Sequence, residues 1–484
     1  MARSSHAPRS AQPQSAHAQS AHAQSGRRAL VLAGVLLAAL AGCRFSDIPG
    51  FQQPQLPIDT TRVVTPPAQD IGAWLRDSST AVRSLAFDDT DWSDLDALAD
   101  AIGTRRVVLL GEQSGGDGTT LRAKARLVRY LHERHGFDAL VFEGGIYDLR
   151  AADARLEAGD DAEEVLRRAL PDPWRSSAEL APLFAWLGTQ RQAGAPLRLG
   201  GIDPRVTSRP GAFSAPTLGA TLETYLARYG SPVLAEATWP RLRVLLDSVG
   251  LAGDVNPSAT PETREALASG LERLRTETDR LVNVATESEA AHWRMVIAGL
   301  QVREAWALRR DAGQADTAAM LRQEAMAEAL VDAVQSVFGG TRVIVWTSSV
   351  SALRSSRELL TVTGEARETP TPAFGERARE VLGDDQLYAL GFLAASGTYG
   401  PFEAGASVRP LVRPPPESWD GLFLAAGRPL AFLHLRRSPT TDNIWLYERR
   451  VARALGYQQV AARWPFVFDG FFFTADMAPV ATTR

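Results

Sequence analysis

The sequence of 484 residues is poor in cysteine, in long apolar runs and in surplus positive charge. Its single cysteine, Cys43, excludes a disulfide within the chain and a cysteine-rich zinc site. The apolar run from Ala29 to Ala41 is shorter than the ~20 residues that a membrane-spanning helix needs. Lysine and arginine number 52 against 56 aspartate and glutamate residues, so the sequence predicts no nucleic-acid partner.

The amino terminus has the pattern of an export signal. Residues 1–28 end in Arg27-Arg28, and the apolar run of 13 residues that follows suits the core of a signal peptide. The run ends in Leu40-Ala41-Gly42-Cys43, which resembles the lipobox of bacterial lipoproteins, where the cysteine is diacylated and becomes the new N-terminus. We therefore predict a lipoprotein signal peptide and lipobox over 1–43, with Cys43 as the lipidation site. The alternative is an uncleaved membrane anchor with an incidental cysteine.

A proline-rich tether is predicted over 44–70. Five prolines fall in this stretch, which has little periodicity and would hold the folded body away from the bilayer: Pro49, Pro54, Pro57, Pro66 and Pro67. Two acyl chains on Cys43 suffice for stable anchoring, so the lipid bilayer is the predicted partner. The expected location is the bacterial cell envelope, lipid-anchored and extracytoplasmic. Residue 44 is Arg rather than Asp, which suits the outer membrane in bacteria that have two membranes.

Beyond the tether, predicted strands alternate with predicted helices. Buried strands are indicated at 106–110, 139–143, 197–203 and 342–346, with later candidates at 387–392, 430–435 and 468–473. The helix after the first strand is predicted to end at His135 because Gly136 follows, and Ser93 and Thr260 are candidate N-caps. This alternation predicts an α/β fold over 71–484, with a mostly parallel sheet flanked by helices and a large helical insertion or cap at about 205–335.

Acidic residues close three of the predicted strands. Glu112, Glu143 and Asp203 stand at these strand ends, and Ser348 lies at the end of the fourth strand. Ligands of open parallel sheets bind outside the carboxyl ends of the strands, so the three carboxylates are expected to face one crevice. Crowded carboxylates raise one another's pKa and can act as general acid or base, or they can hold a divalent cation such as Mg²⁺ or Ca²⁺. The alternative is that some of them cap helices.

Histidine is scarce beyond the leader. His132 and His135 are predicted in the last turn of a helix, His434 inside a strand and His292 in the helical insertion, so none follows a strand end. A Ser/His nucleophilic pair is therefore hard to assemble, although Ser114, Ser348, Ser349 and Ser351 are available. No H-E-x-x-H or G-x-S-x-G motif is present, and the P-loop lysine is replaced by Asp117. The sequence predicts no cofactor and no dedicated metal site.

Seven short motifs in one order resemble those of the erythromycin esterase family. They extend from about residue 104 to residue 480 and include a strand followed by G-E-x-x-H-G, a strand ending in Glu, a strand ending G-F-D, an R-D-x-x-M-A-E-N helix and a W-x-H-N-x-H strand end. Here these read Gly111-Glu112-Gln113-Ser114-Gly115-Gly116, Val141-Phe142-Glu143, Gly201-Ile202-Asp203, Arg322 to Ala329 and Trp346 to Ser351, followed by Ala389-Leu390-Gly391-Phe392 and Asp469-Gly470-Phe471-Phe472.

The departures from the family pattern fall where its chemistry should be. The resemblance implies a general-base histidine that activates water for macrolide lactone hydrolysis, and here that position is Gly115. The two histidines of W-x-H-N-x-H correspond to Ser348 and Ser351. Glycine cannot take a proton and serine has no pKa near 7, so the family's device for activating water is expected to be missing. The resemblance implies catalytic positions at Glu112 and Glu143, and binding positions at Ser114, Asp203, Arg322, Glu328, Ser348 and Ser351.

Three functions remain open from the sequence. The first is a lipid-anchored member of this family that has lost hydrolysis and keeps a cleft for an unknown small molecule. The second is an active ester or lactone hydrolase that uses Glu112 and Glu143 with altered machinery. The third is a non-catalytic structural or interaction protein of the envelope.

Overall fold

The computed structural model describes residues 70–172, 174–209, 211–252, 260–366, 372–400 and 407–482. Contacts divide the chain into two units, Met1–Ala68 and Gln69–Arg484, and every described residue belongs to the second. The predictions for the lipobox at Cys43 and for the tether up to residue 69 lie outside the described residues. Within the described ranges, no helix combines the length and the apolar character needed to cross a bilayer.

Helices make up most of the regular structure in the described part of the chain. In chain order they are α1 Ile71–Ser78, α2 Asp96–Ile102, α3 Gly118–His135, α4 Ile146–Glu157, α5 Ala162–Ala169, α6 Ala181–Gln192, α7 Ser214–Arg228, α8 Trp239–Ala252, α9 Pro261–Leu281, α10 Glu287–Asp311, α11 Ala315–Asp332, α12 Phe374–Leu382 and α13 Trp419–Ala425. A π-helical turn, Ala333–Val337, continues α11. Helices α7 to α11 form the predicted insertion.

The strands form one large sheet and one small hairpin-like pair. They are β1 Thr80–Ala81, β2 Val107–Glu112, β3 Phe137–Gly145, β4 Arg198–Asp203, β5 Arg342–Ser348, β6 Leu387–Tyr399, β7 Arg409–Pro410, β8 Leu430–His434, β9 Arg450–Leu455, β10 Gln458–Ala462 and β11 Gly470–Met477. The large sheet runs in the order β1-β8-β11-β6-β2-β5-β3-β4, with β7 paired to β6, and β9 pairs with β10. Strands β11, β6, β2, β5, β3 and β4 are parallel, whereas β8 and β1 add an antiparallel edge.

Both faces of the sheet are covered, which explains why its central strands are apolar runs rather than alternating sequences. In β2, Val107 and Leu109 pack into one core together with α7 to α11, and Val108 and Leu110 pack into a second core with α3, α5 and α6. The insertion therefore covers one face of the sheet. The predicted α/β fold, with its mostly parallel sheet and helical insertion, is confirmed.

Local signals at helix ends were informative in two cases out of three. Helix α3 ends at His135, and Gly136 adopts the left-handed conformation (φ 64°) that a residue with a Cβ disfavours. Thr260 caps α9 through its side chain, which accepts a hydrogen bond from the amide of Thr263. The N-cap predicted at Ser93 is wrong. Helix α2 begins at Asp96, and the Ser93 hydroxyl instead donates to Asp91 Oδ1 (2.7 Å), forming a local turn.

Because six neighbouring strands are parallel, their carboxyl ends meet at one edge of the sheet. Glu112 ends β2, Asp203 ends β4, Glu143 lies near the end of β3 and Ser348 ends β5. Strand β2 and the loop after β5 approach each other closely at Gly111, where a Cβ would lie 2.9 Å from Cα of Ser349. The missing side chain lets β2 pass beside the loop that follows β5, which brings the strand ends into one site.

Candidate active site

A cavity of about 470 Å³ opens at this edge of the sheet. Two carboxylates and two arginines share its walls with two tryptophans and small polar residues. The lining consists of Glu112, Gln113, Ser114, Gly115, Glu143, Trp174, Arg205, Trp306, Arg322 and Ser348. Glu112 and Glu143 thus face one cavity as the sequence predicted, and the position of the family's general base, Gly115, lies in the same wall.

Glu112 is held by a lysine from the following helix. Lys124 of α3 donates from Nζ to Glu112 Oε2 and to the carbonyl oxygen of Thr347 (3.2 Å). Its ammonium also lies 4.2 Å from the ring centroid of Trp346. Both side chains are almost fully buried, 0% exposed for Lys124 and 1% for Glu112. Burial lowers the pKa of Lys124 well below its usual range, although the charge of Glu143 opposes this effect.

Glu143 receives hydrogen bonds at both carboxylate oxygens. Oε2 accepts from Thr347 Oγ1 (2.7 Å) and from the amide of Ser348 (3.2 Å). Oε1 accepts from Arg322 of α11 (2.9 Å) and, at 3.5 Å, from Ser351 Oγ. The side chain is only 11% exposed. These donors occupy the carboxylate oxygens that a general base would need.

Asp203 lies beneath the cavity wall and is fully buried. Arg322 donates to its Oδ2 at 2.6 Å, and Arg205 binds both of its oxygens through Nε and Nη2. Burial alone would raise the pKa of Asp203, but the two guanidinium groups hold that pKa far below its usual range. The expectation that crowding raises the pKa of the three carboxylates is therefore wrong for Asp203, because cations separate the acids.

Two of the predicted serines line the cavity and a third stands behind it. Ser114 donates to the carbonyl oxygen of Gly400 (2.6 Å), which fixes the loop after β2. The hydroxyl groups of Ser348 and Ser351 lie 3.1 Å apart, and Ser351 is buried behind the wall, also in contact with Gln323 (3.4 Å). At the two positions corresponding to the family's paired histidines, the structure thus has small hydroxyl groups that contact each other, and that of Ser351 also contacts Glu143.

The structure does not bring Glu328 to this cavity. Glu328 lines a separate groove between α11 and α12 together with Glu324 and Asp332, and its pKa is raised by burial and by those two acids. The cause is helical geometry. Glu328 lies six positions after Arg322, a rotation of about 600° around the helix axis, which places the two side chains on different faces. Arg322 reaches the strand ends, whereas Glu328 points elsewhere.

Several site residues were missed by the sequence reasoning. Sequence patterns indicated no role for Arg205, although it lies two positions after Asp203, or for Lys124 of α3. Trp306 lines the cavity from α10 and had no signal in the sequence. Gln113 is 6% exposed and donates from Nε2 to the carbonyl oxygen of Arg453 (3.1 Å), while its Oε1 has no hydrogen-bond partner in the described ranges. A buried acceptor of this kind is suited to a donor on a ligand or to water.

None of the ten residues around the cavity in the described structure is a histidine. His292 is buried in α10 next to Trp293, and burial together with Arg150 lowers its pKa to about 3. His132 and His135 lie in the last turn of α3, as predicted, and His434 ends β8, where its Nδ1 lies 3.3 Å from the Tyr388 hydroxyl. The cavity therefore contains carboxylates, guanidinium groups and hydroxyls, but no imidazole.

The donor set does not favour a divalent cation. In the part of the chain that is described, no group of three or more histidine, cysteine, aspartate or glutamate side chains could hold a metal ion. A guanidinium group already bridges Glu143 and Asp203, since Arg322 Nη2 contacts both carboxylates. The position between these acids is thus occupied by a cation from the chain itself.

The fold and site define an α/β protein whose strand-end cavity contains carboxylates paired with cations. The sequence profile of the erythromycin esterase family matches residues 132–476, and the chain belongs to this family. It is similar to YbfO of Bacillus subtilis (strain 168), a protein named as a hydrolase, with 24% identity over 408 residues, 80% of this chain and 87% of that one.

Two solved structures share the fold. A succinoglycan biosynthesis protein superposes with a TM-score of 0.67 and 16% identity, covering 86% of this chain and 98% of the other. A mutant of the erythromycin esterase EreC in its open conformation gives a TM-score of 0.59 and 15% identity, covering 84% of this chain and 99% of the other. At these identities the likeness establishes the architecture alone.

Proposed function

We propose that this protein is a membrane-anchored lipoprotein whose erythromycin esterase-like domain retains a ligand-binding cleft and has lost the family's hydrolytic histidines. The observation that supports this most directly is the composition of the cavity. Its carboxylates are already engaged by cations and hydrogen-bond donors, and Gly115 offers no side chain at the general-base position.

Water activation needs a base with a free lone pair and a pKa near the working pH. Glu143 accepts hydrogen bonds at both oxygens, and Asp203 is held ionised by Arg205 and Arg322. Asp203 is therefore a weak base, and the oxygens of Glu143 are already engaged by donors from the chain. The site is therefore better suited to holding a ligand than to deprotonating water.

Ligand recognition would rest on groups that are exposed to the cavity or lack a partner. Gln113 Oε1 can accept a hydrogen bond, Arg205 and Arg322 can donate, and Trp306 adds aromatic surface. The three carboxylates at the strand ends are balanced by Lys124, Arg205 and Arg322, so the site has no net formal charge. This combination favours a neutral small molecule that carries hydroxyl or amide donors.

If the cleft binds a ligand without hydrolysing it, that ligand should stabilise the folded protein. We expect at least one compound in a panel of lactones, esters and polyols to raise the melting temperature of the wild-type protein, because a ligand that binds only the folded state stabilises it. Ser348→Phe would fill the cavity and remove the rise, whereas Ser355→Phe, at a different cavity, would keep it. If no compound acts, or if Ser348→Phe responds as the wild type does, the cleft is not the binding site and a structural role is favoured.

An active hydrolase is the second candidate, and the Lys124–Glu112 pair is the observation that favours it. Burial lowers the pKa of the Lys124 ammonium, so it gives up its proton more readily than an exposed lysine does, and it contacts a carboxylate in the cavity wall. Glu112 would then be the group that exchanges a proton with water or with the leaving alcohol. Turnover that depends on Glu112 or Glu143 would establish this alternative.

If the proposed anchor is correct, attachment of the protein to the membrane depends entirely on Cys43. In a bacterial host we expect the wild-type chain in the membrane fraction, with two acyl chains on Cys43, on the outer side of the cytoplasmic membrane or in the outer membrane. Cys43→Ser should move the protein to the soluble or unprocessed fraction, because one uncleaved apolar run of this length anchors poorly. Mass spectrometry of the mature N-terminus measures the outcome, and an unmodified Cys43 in membrane-bound protein would contradict the anchor.

A further inference from the structure

A second cavity, of about 500 Å³, lies at the opposite edge of the sheet from Glu112. Asp469 immediately precedes β11 and Asp384 precedes β6, so this edge carries the amino-terminal ends of the parallel strands. The cavity is lined by Arg354, Ser355, Glu358, Arg436, Pro439, Tyr447, Pro465 and Phe466. None of these lining residues belongs to the candidate active site or to the family motifs.

Positive charge is in excess around this second cavity. Arg354 and Arg436 bind the pair Asp384 and Asp469, at distances of 2.5–3.2 Å, and Arg379 also contacts both acids. Glu358 is shared by two arginines, Arg463 and Arg449. The connected ion pairs that include the charged lining residues thus comprise five arginines and three carboxylates, an excess of two positive charges. An anionic group is the complementary ligand.

Apolar side chains are exposed beside these arginines. Phe466 is 44% exposed and Ile444 is 52% exposed. Ile444–Tyr447 forms a 3-10 turn, in which side chains three residues apart lie on one side, so Ile444 stands in line with Tyr447. The Tyr447 ring in turn contacts Phe466, with centroids 5.9 Å apart, and Arg463 lies over Phe466 at 4.8 Å. Apolar and basic groups therefore alternate on one surface.

The same surface lies where the chain enters the folded unit. Trp74 of α1 packs edge-on against Trp445, with centroids 5.2 Å apart, and Arg437 donates to the carbonyl oxygen of Ser78 (2.8 Å). The hydroxyl of Tyr447 donates to the carbonyl oxygen of Arg437, which joins α1 to the wall of the cavity. Helix α1, at the start of the described residues, is thus next to the exposed apolar groups and the surplus arginines.

We propose that this face of the folded unit docks on an anionic lipid surface. The docking face is defined by Ile444, Tyr447, Phe466, Arg436, Arg449 and Arg463. Its apolar side chains would enter the interface, its arginines would lie among the headgroups, and the cavity would receive a lipid phosphate. This interaction goes beyond the proposed ligand cleft and does not require hydrolysis.

The proposed anchor makes even a weak docking surface effective. The predicted tether separates Cys43 from α1 by fewer than thirty residues, and an extended proline-rich chain of that length spans at most about 90 Å. An acylated Cys43 would keep the docking face at a high effective concentration near the bilayer. The tether and the docking face would then act on the same membrane and orient the cavity of the candidate active site away from it, since the two cavities lie at opposite sheet edges.

Sedimentation with lipid vesicles tests the docking face without the anchor. The protein is the compact unit Gln69–Arg484, which lacks Cys43, so the result is independent of lipidation and of the ligand cleft. We expect binding to phosphatidylcholine vesicles that contain phosphatidylglycerol, and little binding to phosphatidylcholine alone. Arg449→Gln and Arg463→Gln should each weaken binding about fivefold, as should added salt. Phe466→Ser and Ile444→Ser should also weaken it.

Matched variants elsewhere on the surface serve as controls. Arg243 is 45% exposed and ion-paired, like Arg463 at 42%, and Leu308 is 54% exposed, like Ile444, but both lie in the helical insertion. Arg243→Gln and Leu308→Ser should leave vesicle binding unchanged. Equal losses in the two sets, no binding, or no preference for anionic vesicles would overturn the proposal. A rise in melting temperature with inorganic phosphate but no vesicle binding would assign the cavity to a free anion and would also overturn it.

Discussion

Lys124→Met is expected to lower the free energy of unfolding by about 3–5 kcal/mol, because removing one partner of a buried ion pair leaves the other charge uncompensated. Glu112 would remain almost fully buried in the cavity wall and would lose the ammonium that contacts its Oε2. Methionine has a similar shape and can still pack on Trp346, so the loss reports the charge rather than an empty volume. Urea unfolding at neutral pH measures the change.

A double variant separates the charge from the packing. Glu112→Gln combined with Lys124→Met removes both charges, and we expect it to recover at least half of the stability that Lys124→Met loses. Arg275→Met provides the matched control, since Arg275 pairs with Glu272 on the exposed face of α9, where solvent screens the pair and such a change has little effect on stability. If Lys124→Met is no more costly than Arg275→Met, Glu112 is not held by its lysine and is available as a base.

Lowering the pH is expected to destabilise the wild-type protein more than it destabilises the His292→Phe variant. His292 is buried and its pKa is lowered to about 3, so the folded state stays neutral there while the unfolded chain takes up a proton near pH 6.5. The unfolded state binds more protons between these values, and stability falls as the pH falls. Between pH 7 and pH 4 the difference in unfolding free energy between wild type and variant should shift by about 3 kcal/mol.

The comparison with the variant is needed because another buried group acts in the opposite direction. Burial raises the pKa of Asp148 to about 6, so its folded form gains a proton first and becomes relatively more stable as the pH falls. That contribution is the same in the wild type and in His292→Phe and cancels in the difference. If the unfolding free energies of the two proteins change in parallel with pH, His292 takes up a proton as easily in the folded state as in the unfolded state. A role for His292 in proton transfer would then have to be considered.

The strand ends were predictable from the sequence, but the partners of the carboxylates were not. Apolar runs followed by Glu112 and Asp203 identify the edge of a parallel sheet, and the structure brings these ends together. The ion pairs depend on residues far away in the chain, since Arg322 lies 179 positions from Glu143. No local pattern shows that a guanidinium group from an inserted helix will lie between two acids. The sequence therefore predicts a raised pKa for Asp203, whereas in the structure that pKa is lowered.

Membership of a family motif did not determine which side chains reach the cavity, because that depends on the face of the helix on which each residue lies. Arg322 and Glu328 were assigned to the site because both occur in one family motif, yet only Arg322 lies on the face of α11 that meets the strand ends. Gln113, in contrast, occupies a variable position of its motif and was passed over, although its Oε1 is a buried acceptor without a partner in the described ranges. Which side chains line a cavity depends on the face of each helix that points toward it and on the paths of the loops. Spacing in the sequence specifies both of these poorly.

The central claim is that the cavity no longer activates water, and release of carboxylic acid from a panel of lactones and esters tests it most directly. The wild-type protein, Glu112→Gln and Glu143→Gln should all show the same rate as buffer, including with compounds that raise the melting temperature of the wild type. Wild-type turnover that Glu112→Gln or Glu143→Gln abolishes, in variants that still melt cooperatively, would contradict the account and establish a hydrolase that works without histidine.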